Sequence, residues 1–268
     1  MALPTFKTLE ITVPHPGVAV VCFNRPQRYN SLTPQAYLDW LNAVRYVAND
    51  DSLKVCVLTG KGKFYCSGQD LDFSVADEDG IAPEERFANT KNLITEMINF
   101  PKLLIAGVNG NSIGFGCTTL GLCDVVYSVP EATFNTPFMQ FGFCAEGCSS
   151  VLFPRIMGVS KANEMLLLGR RFSAKEMEEC NFLRVLPSEG FHDQVIKLAA
   201  QASNFSLEAL KVTKSLVRGV DRELLHKTNT DEMDRLAERM VSPDSLESIM
   251  KFMQQARDKK KAKTNGSL

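Results

Sequence analysis

Residues 103–123 carry no charged side chain. A run of that length would span a bilayer if it were one continuous apolar helix. It is not built as one, because Gly107, Gly110, Gly114, Gly116 and Gly121 interrupt it, together with Asn109, Asn111 and Ser112. The pattern reads as a buried strand over 103–108, a glycine turn and the start of a helix. Short apolar strand, turn and helix recur elsewhere. Residues 18–23 form a strand candidate stopped by Asn24-Arg25-Pro26. Thr33-Pro34 then opens a helix, with Thr33 as N-cap and Pro34 in the first turn. Leu38, Leu41, Val44 and Val47 are its apolar stripe. Residues 55–58 form a second buried strand ending in the turn 60–63, helix returns over about 84–100, and 125–128 is a further strand. This alternation predicts an α/β fold of repeated ββα-like units, although no sequence repeat is detectable.

Beyond about residue 148 the sequence predicts mostly helix. Ser173-Ala174-Lys175-Glu176 has the spacing of a capping box, and Ser206 and Ser242-Pro243 open two further helices. The chain thus divides into a core over 1–200, a helical region over 201–258 and a flexible tail over 259–268 that begins Lys259-Lys260-Lys261. A terminal amphipathic region of this kind packs either on a partner subunit or on its own core.

A chain of 268 residues suits one large domain or a core with an appendage. Thirty basic and 31 acidic residues leave a net charge of −1, so no global basic field points to a nucleic-acid partner. The eight cysteines form no C-x-x-C pair, and His15, His192 and His226 stand away from them. No metal site is expected from that spacing. Scattered cysteines without a signal pattern at the N-terminus read as a reduced, intracellular chain that does not insert into membranes.

Three places carry chemistry. Between Glu131 and Arg155 the sole charged residue is Glu146, set among aromatic, small and weakly polar neighbours. Desolvation there raises a carboxyl pKa toward the range of a general base. Phe64-Tyr65-Cys66-Ser67-Gly68-Gln69-Asp70-Leu71 and Gly110 to Cys117 are glycine-bearing loops, each directly after a buried strand. Such loops can aim backbone N–H groups at one oxygen and so form an oxyanion hole. The second loop is not a dinucleotide fingerprint, since Thr119 stands where the third glycine belongs. Cys66 has no histidine nearby in sequence and is a poor candidate nucleophile.

These motifs together resemble the crotonase (enoyl-CoA hydratase/isomerase) superfamily, over nearly the whole chain from about Phe6 to Arg257. Asn24 to Leu32 resembles the family's Asn-Arg-Pro segment near CoA, Ser67 to Asp70 its first oxyanion loop, and Gly110 to Gly116 its second. Cys123-Asp124 and Ala132-Thr133-Phe134 fit the strands that follow. The resemblance implies a spiral core of ββα units, a C-terminal helical oligomerisation region, and a trimer or dimer of trimers. It also implies a fatty acyl-CoA substrate and no separate cofactor. The oxyanion donors would be the backbone N–H groups of Gln69 and Phe115. The substrate contacts would be Arg28, Ser67, Gly68, Gln69, Asp70, Leu71 and Phe115, with Asp70 and Asp72 shaping the loop. Lys251 or the Lys259 run would meet the 3′-phosphate, and Phe87, Phe138, Phe141 and Phe143 would line an acyl tunnel.

The acids decide the reaction the resemblance implies. Hydratases of the family carry two glutamates, at positions where this chain has Thr118 and Phe138. Glu146, followed by Gly147-Cys148-Ser149-Ser150 and Phe153-Pro154-Arg155-Ile156-Met157, resembles the base segment of peroxisomal monofunctional Δ3,Δ2-enoyl-CoA isomerases. The expected activity is therefore conversion of 3-enoyl-CoA to 2-trans-enoyl-CoA in β-oxidation, with Glu146 as acid and base. The alternatives are a non-catalytic acyl-CoA-binding module, as in chromatin-associated corepressors of this fold, or a hydratase with rearranged acids. The family points to the peroxisome, with mitochondrion and cytosol open, although the terminal Gly266-Ser267-Leu268 lacks the basic middle residue of a Ser-Lys-Leu signal.

Overall fold

A computed structural model describes residues 3–71 and 80–265. Two sheets organise it. The larger has six strands in the order β1-β2-β3-β5-β7-β10. These are β1 (Leu9–His15), β2 (Val18–Phe23), β3 (Val55–Gly60), β5 (Leu103–Val108), β7 (Val125–Ser128) and β10 (Arg184–Val185). Edge strand β1 is antiparallel to β2, and the remaining pairings are parallel. The smaller sheet joins β4 (Phe64–Cys66), β6 (Asn111–Ile113), β8 (Thr133–Asn135) and β9 (Phe172–Ser173). Each of β4, β6 and β8 follows a strand of the larger sheet within a few residues, so the chain alternates between sheets and winds as a spiral of ββ units separated by helices.

β3 is buried at every position and β5 at all but its first. Parallel strands covered on both faces have no polar side, which is why they read as unbroken apolar runs. Residues 103–123 are thus β5, β6 and a short helical turn. No helix among the described residues is long and apolar enough to cross a membrane.

The first long helix, α1 (Pro34–Asn49), is capped by Thr33, whose hydroxyl accepts from the Ala36 N–H. It buries more than the stripe of Leu41, Val44 and Val47. Tyr37 and Trp40 are buried too, whereas Leu38 is only half-buried. Phe23 and the helix-start residue Phe115 meet the Trp40 ring edge-on at 4.8 and 5.7 Å. Asp39, also buried, accepts from Lys7 N, Thr8 N and Thr8 Oγ1, which ties the start of β1 to α1. Helix α2 (Pro83–Asn99) packs against α1.

The remaining helices are α3 (Phe115–Thr118), α4 (Ser149–Met157), α5 (Val159–Leu166), α6 (Ala174–Glu179), α7 (Phe191–Ser203), α8 (Leu207–Gly219), α9 (Arg222–Met240) and α10 (Pro243–Asn265). The Ser173 capping box at α6 is complete. The sequence marked no break between Ser206 and Ser242, yet the helix stops and restarts around Asp221. α8 buries none of its residues and leaves Val212, Leu216 and Val217 exposed. It is held by polar contacts instead: Lys214 Nζ donates to Asp124 Oδ2 and to Lys102 O, both at 2.7 Å. α9 docks on α2, where Asn229 Nδ2 donates to Lys91 O and Thr95 Oγ1.

Candidate active site

β4 and β6 lie side by side and parallel, so the two glycine loops leave the smaller sheet together. Glycine is required for their approach. A Cβ on Gly68, whose φ is +80°, would stand 2.8 Å from Ile113 O, and one on Gly116 would stand 2.6 Å from Cys66 Cβ. Gly114 occupies φ 56°, ψ −126°, a region closed to other residues. The backbone pairing also decides where the donors point. Leu32 N donates to Gly68 O and Asp70 N donates to Leu32 O, so Leu32 pairs through the neighbours of Gln69. The Gln69 N–H is left directed away from Leu32. Phe115 is the first residue of α3, where an N–H has no intrahelical acceptor. Neither N–H is bonded to another described residue.

The segment before α1 frames the entrance. Tyr29 and Asn30 both have positive φ, 53° and 54°. Asn30 explains the turn: its Oδ1 accepts from Arg25 N, and its Nδ2 donates to the carbonyls of Lys61, Phe64 and Tyr65. Asp70 is buried and accepts from Arg28 Nη2 at 2.9 Å and Ser31 Oγ at 2.7 Å, with Arg25 Nη2 at 3.5 Å. Asp70 thus gathers two arginines beside the cavity lining.

Glu146 lies on the segment between β8 and α4. A 3-10 turn over Phe138–Phe141 leads through Gly142, and Gly147 and Cys148 then take left-handed conformations before α4 begins. Ser149 N and Ser149 Oγ both donate to Glu146 O, which fixes the Glu146 backbone. A Cβ on Gly147 would lie 2.7 Å from Thr118 Oγ1, so the Thr118 position is packed directly against the glutamate's own turn. The Glu146 side chain is 9% exposed, and its carboxyl receives no hydrogen bond from a described residue. Burial pushes its pKa up to about 8, and the carboxylate of Glu232 adds to the effect. At neutral pH the group is then mostly the neutral acid, and its base form grows as pH rises toward 8.

Glu232, on α9, is the residue sequence reasoning missed. Its oxygens accept from Cys148 N at 2.7 Å, Ser150 N at 3.0 Å and Ser150 Oγ. In the sequence it sits in Asp231-Glu232-Met233-Asp234, which reads as a solvated helix face, and no local pattern separates it from its acidic neighbours.

One cavity of about 520 Å³ collects the predicted residues: Arg28, Ser67, Gly68, Gln69, Asp70, Leu71, Phe115 and Glu146 all line it. Phe138, Phe141 and Phe143 line it as well. Phe87 does not; it packs on the core. Lys251 is outside the lining, while its neighbour Phe252 forms part of it and meets Phe141 edge-on at 5.1 Å. Asp72 lies outside the described residues, as do the side chains of the Lys259 run. Leu236 and Met240 of α9, Asn135 and Arg171 are among the further lining residues that no sequence signal marked.

The thiols carry no nucleophile. Burial pushes Cys66 up to about 12 and Cys22 and Cys144 to about 11. All eight cysteines are free. Among the described residues no group of three or more His, Cys, Asp or Glu is placed to hold a metal ion.

The profile of the enoyl-CoA hydratase/isomerase family matches residues 14–263. Human enoyl-CoA delta isomerase 2 is 36% identical over 92% of this chain, which covers 64% of that protein. Mouse peroxisomal enoyl-CoA delta isomerase 3 is 34% identical over 88% of this chain and 75% of its own length. The chain thus spans less than two thirds of the length of enoyl-CoA delta isomerase 2, 64% of the human protein and 61% of the rat one, and three quarters of the mouse relative. An enoyl-CoA hydratase/isomerase from Pseudoalteromonas atlantica, 27% identical, superimposes with a TM-score of 0.86 over 93% of this chain and 98% of its own. The spiral of paired strands, the two glycine loops facing one cavity and the match along nearly the full chain agree, and the chain belongs to the enoyl-CoA hydratase/isomerase (crotonase) family.

Proposed function

We propose that the protein is a Δ3,Δ2-enoyl-CoA isomerase that uses Glu146 as its one acid and base. Glu146 removes a proton from C2 of a 3-enoyl thioester, and the released electron pair moves onto the thioester oxygen as a dienolate. The N–H groups of Gln69 and Phe115 stabilise that oxygen. The proton then returns from Glu146 to C4, and the double bond moves from C3–C4 to C2–C3. Atoms and charge balance without a metal, a redox cofactor or water.

The observation that carries this reading is the fate of the carboxylates that line the cavity. Asp70 is held by Arg25, Arg28 and Ser31, whereas the Glu146 carboxyl has no cationic or hydrogen-bonding partner among the described residues. Hydration needs one group to activate water and another to deliver a proton. Thr118 is packed under Gly147, and Phe138 is an aromatic wall residue. Neither can take the second role.

Arg28 and the Ser67–Leu71 backbone are the proposed contacts to the nucleotide end of CoA, and the Phe138–Phe143 wall the contact to the acyl chain. The exposed apolar residues of α8 fit subunit contacts in a trimer or dimer of trimers. The peroxisomal location is proposed from the name of the mouse relative, and the place in β-oxidation of unsaturated fatty acids from the isomerase reading itself. The test is Glu146→Ala assayed with a 3-enoyl-CoA by the ultraviolet absorbance of the conjugated thioester. Loss of about 10³-fold or more in kcat is expected, and a rate near the parent's would overturn the mechanism. Efficient hydration of 2-enoyl-CoA by the parent protein would favour a hydratase with rearranged acids.

A further inference from the structure

We infer that Glu232, reaching from α9 to the backbone of Cys148 and Ser150, is a positioning residue that holds the Glu146 carboxyl in its reactive place. The inference rests on the isomerase reading of Glu146. Glu146, Gly147 and Cys148 form one tight turn, and Cys148 has a φ of 60° without being glycine. Such a conformation persists only where its surroundings hold it. Backbone bonds from Val151 and Leu152 to Cys148 O and a contact from Cys148 Sγ to Leu225 O help to hold it, and one side chain reaches it from another helix. Glu232 accepts from the N–H groups on both sides of Ser149 and from the Ser150 hydroxyl. Ser149 itself is bound back to Glu146 O. The path from Glu232 to the Glu146 backbone is therefore short and continuous.

The other end of the same segment is fastened to the same helix. Arg239 Nε of α9 donates to Gly142 O at 2.7 Å, and Ser245 Oγ, from the following helix α10, donates to it at 2.9 Å. Residues 142–150 are thus strapped to α9 at both ends, with Glu146 between the straps.

The chemistry of the side chain matters. Among the described residues no lysine, arginine or histidine pairs with Glu232, which is 7% exposed. A buried carboxylate beside another carboxylate is an expensive choice. A carboxylate alone offers two acceptor oxygens and no donor; an amide would turn an NH₂ toward one of the two N–H groups. The arrangement that positions the turn therefore also sets a negative charge near Glu146.

The groups that face the pair are few. Tyr37 of α1, Cys66 of β4 and Cys144 of the Glu146 segment feel the Glu146 charge, and burial keeps all three neutral below about pH 10. Arg239 faces Cys144 from α9 and opposes the rise in its pKa. Cys148, which feels the Glu232 charge, is likewise kept neutral by burial. Burial also raises the Glu232 carboxyl, and Glu146 is held up to about 8.

The experiment is the pH profile of kcat and KM for 3-enoyl-CoA isomerisation by the purified full chain. Glu232→Gln is expected to lower kcat about 10- to 100-fold with KM within about threefold, because displacement of the base by a fraction of an ångström degrades the chemical step. It is also expected to move the rising limb of kcat/KM down by about one pH unit, since a like charge has been removed. Glu232→Asp keeps the charge but shortens the reach, so kcat falls while the limb stays in place. Ser150→Ala, which leaves the carboxylate and the fold intact, is expected to lower kcat about threefold at unchanged KM. Variants that lose thermal stability but keep the parent's kcat and limb would make Glu232 a structural anchor and overturn the inference. If Glu146→Ala is inactive in that same experiment, the isomerase reading survives the loss; if Glu146→Ala is active, the base assignment fails first.

Discussion

Replacing Glu146 with glutamine is expected to make folding stability less dependent on pH, and more so as pH rises. The free carboxyl has a pKa near 4.5, and in the folded protein it is held up to about 8. The folded state therefore favours the neutral acid. Its stability is greatest below 4.5 and declines as pH rises toward about 8, where the buried group must carry charge without a hydrogen bond. Over that whole interval the decline is on the order of 4–5 kcal/mol, and between pH 6 and pH 9 it is on the order of 2–3 kcal/mol. The glutamine side chain has nearly the same shape and never ionises. Urea unfolding of both proteins at pH 6 and pH 9 measures the difference directly. The stability gap in favour of the glutamine variant is expected to widen by about 2–3 kcal/mol between the two pH values. A gap that stays the same would show that Glu146 does not titrate in this range, and the poised base would lose its physical footing.

Other consequences follow from the same site. The kcat/KM for isomerisation is expected to rise with pH through about 8, because the base form of Glu146 takes the C2 proton; a flat profile from pH 6 to 9 in steady-state assays would contradict it. Gly68→Ala is expected to cost about 1–3 kcal/mol of stability, from the positive φ and the 2.8 Å approach to Ile113 O, and to lower kcat more than it raises KM, since it displaces the Gln69 donor; thermal melts and kinetics together check this. Asp70→Asn is expected to raise KM about tenfold with little change in kcat, because it releases Arg25 and Arg28 at the cavity mouth and leaves Glu146 alone. Cys66→Ser is expected to retain activity within a few-fold, because a thiol held near 12 is no nucleophile at neutral pH.

The parts of this molecule that were legible in its sequence share a physical cause. β3 and β5 are covered by other elements on both faces, so their apolar runs announce them. The three strands β4, β6 and β8 are three residues each, too short to establish a period, and their pairing is decided by the loops they feed. The Thr33-Pro34 start and the Ser173 box are local chemistry and were readable as such. The breadth of the α1 core face was not, because Tyr37 and Trp40 are buried by partners from β2 and α3 that lie far along the chain. At the site, Glu146 was visible through the absence of neighbouring charge. Glu232 was invisible for the opposite reason, since it stands among acids that remain exposed. Its burial comes from contacts more than eighty positions away, and no window along the sequence contains both ends of that contact.

A crystal structure with a non-reactive acyl-CoA analogue bound tests the central claim most directly. The account predicts the thioester oxygen within about 3.2 Å of both the Gln69 and Phe115 nitrogens, and one Glu146 oxygen within about 3.5 Å of both C2 and C4 on a single face of the chain. A thioester oxygen bound elsewhere, or a Glu146 carboxyl that reaches C2 but not C4, would contradict a proton moved by one glutamate.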